Sequence, residues 1–85
     1  MPTKPHDGPG ERGRSDAIGG HVLRALGRPG ALLRVAVAHL WGDHYRVNVF
    51  VGEDAATVRI AHSFFLVADG AGNVVASTPD ITRQY

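Results

Sequence analysis

Residues 45–51 read YRVNVFV, in which Tyr45, Val47, Val49 and Val51 alternate with Arg46, Asn48 and Phe50. A period of two sends successive side chains to opposite faces of an extended chain, so this stretch is a strand with one buried and one wetter face. Around it, from residue 32 onward, valine, isoleucine, phenylalanine and tyrosine dominate, and short turn signals divide the text into strands at 32–41, 45–51, 57–68 and 74–78. The connections span about three to five residues, far fewer than a parallel crossover needs, so neighbouring strands run antiparallel and form a meander.

The register of the first hairpin depends on its loop. If residues 42–44 form it, Val35, Val37, His39 and Trp41 face Tyr45, Val47, Val49 and Val51; if only Gly42 and Asp43 turn, Ala36, Ala38 and Leu40 take those places. The first register gives one continuous apolar stripe and is preferred, since a one-residue slip would move every side chain to the other face. In the third strand Val58, Ile60, His62, Phe64 and Leu66 alternate with Thr57, Arg59, Ala61, Ser63, Phe65 and Val67. Both of its faces turn apolar near the end, which requires the N-terminal helix or another subunit to cover the second one. Phe50, Phe65 and Val67 are therefore the candidate interaction surface.

Residues 69–73, DGAGN, close the last hairpin: Asp69 can accept from backbone donors, and Gly72 or Asn73 can take a positive φ. Pro79 ends the fourth strand. The stretch FLVADGAGNVVASTP, residues 65–79, is similar in rhythm to the closing hairpin of PAS and Cache sensor domains. That likeness covers about fifteen residues and implies the hairpin alone.

Upstream, residues 16–26 place Ile18, Val22, Leu23 and Leu26 at helical spacing, with Ser15 or Asp16 as N-cap and Gly27 then Pro29 as a stop. Residues 1–15 are punctuated by Pro2, Pro5, Pro9, Gly8, Gly10 and Gly13 and read as a disordered tail. The expected architecture is thus α+β: one domain over residues 16–85, with a short helix at 16–26 packed on a four-stranded antiparallel meander at 31–82. A mainly β fold is the alternative.

At 85 residues there is room for one core, and with no cysteine neither disulfides nor zinc thiolates reinforce it. A core this small favours self-association. Residues 1–30 carry five cations against three acids and the remainder four against five, so no strong field steers a polyanion. No apolar run approaches a membrane span and the N-terminus is polar, so a cytoplasmic location is expected.

Few residues promise chemistry. His39, His44 and His62, with Asp43 to orient one of them and Trp41 beside the cleft, form the alternative of a small-molecule or metal-binding site. Ser63 adjoins His62 and so points to the opposite face, leaving no hydrolytic pair; phosphate loops and calcium loops are also missing from the text. The chain is therefore expected to be no enzyme and to need no cofactor. Arg34, Arg46 and Arg59, interleaved with Trp41, Tyr45, Phe50 and Phe65, give single-stranded nucleic-acid binding as a second alternative. The leading expectation is a non-enzymatic protein-interaction or assembly module, self-associating or joining another subunit through a sheet edge or apolar face.

Overall fold

The structure, a computed structural model, describes residues 11–85. Helix α1 (Glu11–Leu26) is followed by strands β1 (Leu32–Trp41), β2 (His44–Val51), β3 (Arg59–Ala68) and β4 (Val74–Thr78), with a single 3-10 turn at Ala55–Thr57. The strands form one antiparallel sheet in the order β1-β2-β3-β4, with α1 packed on one face, so the α+β meander expected from the sequence is the fold. Among the described residues no helix is long and apolar enough to cross a membrane.

The core lies between α1 and the two central strands. Ile18, Val22 and Leu26, one stripe of the helix, meet Tyr45, Val47 and Val49 of β2 and Phe64, Leu66 and Ala68 of β3. Val35 and Val37 of β1 and Val74 of β4 pack at its margins. Each large apolar side chain removed from water contributes about 1.5–3 kcal/mol, and it is this layer that offsets the entropy of ordering a chain so short.

The helix begins earlier than its sequence indicates. Residues 11–15, expected to be part of a disordered tail, form its first turns, and neither Ser15 nor Asp16 is its N-cap. Residues 1–10 of that tail lie outside the described residues. Two tertiary contacts account for the extension: the Arg14 guanidinium donates to the Tyr45 hydroxyl at 3.1 Å, and the β3–β4 loop lies against Arg14 and Ala17 at Gly72. Tertiary packing thereby overrides the poor helix propensity of Gly13. At the other end Gly27 adopts φ 90° and its N–H donates to the Leu23 carbonyl at 2.8 Å, a left-handed cap. The Gln84 and Tyr85 amides both donate to the Leu26 carbonyl, tying residues beyond β4 to the same helix end.

Register shifts in each ladder decide which side chain faces where. In the first hairpin Trp41 pairs with His44 across a two-residue turn, yet His39 pairs with Tyr45, Val37 with Val47 and Val35 with Val49. Leu40 is the extra residue: β1 satisfies the shorter loop at its tip and the preferred apolar stripe along its length. Trp41 is thereby removed from the core side, where the sequence placed it. A second shift at Ala61 pairs Phe50 with Ile60. Ile60 and Val58, expected in the core row of β3, are instead exposed.

Candidate functional site

The sheet face opposite α1 is the candidate site. Because residues directly opposed across strands share a face, the register places Arg34, Ala36 and Ala38 of β1 there with Arg46, Asn48 and Phe50 of β2. Ile60, Ser63, Phe65 and Val67 of β3 and Ala76 and Thr78 of β4 complete it. Phe50, Phe65 and Val67, named from sequence as the interaction surface, all lie on this face. The helix covers Phe64 and Leu66 instead, and no described residue of the chain covers the other side of β3. Phe65 stays 46% exposed and Ile60 51%, which is unusual for large apolar side chains gathered on one surface.

Two arginines are built into the face. The Arg34 guanidinium lies 4.3 Å from the centre of the Phe50 ring, its direct cross-strand partner. Arg46 lies 4.1 Å from the centre of Phe65, again its direct partner. Each pair joins cation–π attraction to cross-strand packing. Arg46 is also fixed from the side: its Nη1 donates to Ser63 Oγ at 3.0 Å, and that hydroxyl donates to Asn48 Oδ1 at 2.7 Å. The four strands carry Arg34, Arg46 and Arg59 and not one aspartate or glutamate. The charged side chains of the strands are thus all cationic, while the acids Asp43, Glu53, Asp54 and Asp69 sit in the loops between them.

At one end of the face His44, Phe65, Val67, Ala76 and Thr78 line a shallow groove of about 300 Å³. Trp41, 61% exposed, stacks on His44 with ring centres 4.7 Å apart. The His44 Nδ1 is buried there without a hydrogen-bond partner among the described residues.

The three histidines proposed as a metal set do not converge. His39 and His62 lie on the helix side of the sheet, paired with Tyr45 and Val49, so they are separated by four residues of β2, about 13 Å, and by two strand spacings. His44 is on the opposite face. His39 bonds the Gly42 carbonyl at 2.7 Å, and His62 bonds the Tyr85 hydroxyl at 2.8 Å and stacks on Phe64. Among the described residues no group of three or more histidine, aspartate or glutamate side chains is disposed to hold a metal ion. Asp69 behaves as the sequence suggests: its carboxylate accepts from the Asn73 amide, the Asn73 side chain and the Ala71 amide, which hold its pKa below the usual carboxylate value.

No protein-family model matches the chain, and neither the curated proteins nor the solved structures yield a match. Residues 65–79, whose rhythm resembles a sensor-domain hairpin, form part of the antiparallel β3–β4 ribbon.

Proposed function

We propose that this protein is a non-enzymatic interaction module that binds an acidic, apolar-rich segment of a partner protein on the helix-free face of its sheet. The observation that carries this reading is the pair of arginines seated on phenylalanines, Arg34 over Phe50 and Arg46 over Phe65, on strands without an acidic side chain. Apolar surface supplies the area for binding, and the two fixed guanidiniums select a carboxylate-bearing occupant. A second copy suits this face poorly, because face-to-face pairing would bring four arginines together with no carboxylate between them. Nucleic acid suits it less than protein does: two phosphate contacts supply little counterion release, and Arg46 already covers one side of the Phe65 ring.

The test is fluorescence anisotropy of the full chain against a short labelled peptide alternating glutamate and leucine. A lysine–leucine peptide and a mixed single-stranded oligonucleotide serve as comparisons. The acidic peptide is expected to bind, to weaken with added salt, and to lose affinity in Arg46→Glu and in Phe65→Ser, at a half-buried and an exposed position that both lie outside the core layer and whose circular dichroism should match the parent. Equal binding of the two peptides, or none, overturns the proposal. Preferential binding of the oligonucleotide replaces it with the nucleic-acid reading.

A further inference from the structure

We infer that β1 is a pairing edge for a second copy of the chain, with the two β1 strands meeting antiparallel to make one eight-stranded sheet. This surface is distinct from the face described above. The two edges of the sheet are unlike. β4 is five residues long and stops at Pro79, whereas β1 is ten residues long, LLRVAVAHLW, with no proline, no lysine and Arg34 as its one charged residue. Edge strands of solitary domains are ordinarily short, charged or covered, and β1 is none of these among the described residues.

The layer above β1 is also incomplete. Val35 and Val37 point to the helix side yet remain partly exposed, beside a cleft of about 290 Å³ whose other wall is Ser15, Asp16, Gly19 and Gly20 of α1. An added strand would put its own Val35 and Val37 into that cleft, where the two helix glycines present no side chain. The dimension is sufficient. A ten-residue edge is about 33 Å long and the sheet-plus-helix layer about 20 Å deep, so the side it presents is roughly 650 Å² per copy. A stable pair buries about 800 ± 200 Å² per partner.

Symmetry supports the same arrangement. The regular part of β1 lies between the register shifts at Leu33 and Leu40. A two-fold axis through its centre, at Ala36 or Val37, pairs like faces with like and leaves the two Arg34 side chains about 13–20 Å apart. Unlike face-to-face packing, edge pairing confronts no like charges.

Sedimentation velocity of the full chain from low to high micromolar concentration tests this, together with hydrogen exchange of the β1 amides at both ends of the range. A monomer–dimer equilibrium is expected, with protection of β1 amides rising with concentration. Ala36→Lys, which places two ammonium groups near the axis on a partly exposed position, should raise the dimer dissociation constant at least about tenfold without altering the monomer's circular dichroism. A monomer throughout the range overturns the inference. So does a dimer indifferent to Ala36→Lys but dispersed by Phe65→Ser, which would assign the contact to the open face.

Discussion

Two glycines that touch opposite ends of the same packing interface should respond oppositely to a methyl group. Gly19 sits mid-helix, and a Cβ there would lie 3.6 Å from Val35 Cγ1 and 3.7 Å from Val37 Cγ2, ordinary van der Waals contact. Gly19→Ala removes a helix-propensity cost of about 0.8–1.0 kcal/mol and adds one buried methyl worth up to about 0.8 kcal/mol. The sum, about 1–2 kcal/mol, raises Tm by about 5–10 °C in a domain of this size. Gly72 adopts φ 87°, and a Cβ there would lie 2.7 Å from Ala17 Cβ and 3.1 Å from the Arg14 carbonyl oxygen. Gly72→Ala therefore incurs about 1–2 kcal/mol for the left-handed backbone and about 1–3 kcal/mol for overpacking. Thermal and urea unfolding followed by circular dichroism measure both, at one low protein concentration so that association at β1 does not shift Tm. A Gly19→Ala variant no more stable than the parent would refute the separation of α1 from β1. A harmless Gly72→Ala would refute the docking of the β3–β4 loop on α1.

Leu66→Ala, at a fully buried position, should cost about 2–5 kcal/mol by urea unfolding, whereas Ile60→Ala should cost less than about 1 kcal/mol despite sharing the same alternation in sequence. Tyr45→Phe deletes the hydroxyl that accepts from Arg14 and should lower stability by about 0.5–1.5 kcal/mol; Arg14→Ala in that background should then cost less than it does in the parent, a non-additivity read from a double-mutant cycle. The Asp69 carboxyl has a folded-state pKa below its unfolded value, so its contribution is present above the unfolded value and is lost as pH falls through the folded one. Asp69→Ala should therefore flatten the acid limb of a plot of urea midpoint against pH, and an unchanged limb would contradict the loop geometry.

What the sequence showed of this fold followed the strength of its alternation. In β2 every second residue from Tyr45 to Val51 is buried, so one short pattern located the strand, its faces and its two antiparallel neighbours. The register shifts at Leu40 and Ala61 had no such signal, because neither residue is a glycine and neither interrupts an apolar run. Their consequences were correspondingly misplaced: Trp41 moved to the open face, Ile60 left the core row, and the histidines parted. The start of α1 was hidden for another reason, since it rests on contacts with Tyr45 and Gly72, residues more than thirty positions away. Phe65 and Val67 were legible because both faces of β3 are apolar where one helix can cover only one. The arginine–phenylalanine pairs became visible only with the register, which sets Arg34 against Phe50 and Arg46 against Phe65.

The division between central and outer strands ties these features together. With one helix available, the chain fully buries a single row on β2 and β3, while Val35 and Val37 at the β1 margin and Val74 at the β4 margin remain half-covered. Any further apolar burial must come from outside the described fold, and the two surfaces left for it differ in electrostatic character. The open face holds guanidiniums whose positions are fixed by ring stacking and, at Arg46, by the Ser63–Asn48 hydrogen bonds, so a carboxylate meets donors that lose little freedom on binding. The β1 edge offers backbone groups and small side chains with its one charge off-centre, terms that an identical strand can meet. The two proposed occupants, an acidic segment for the face and a second copy for the edge, thus answer to different chemistry on the two surfaces.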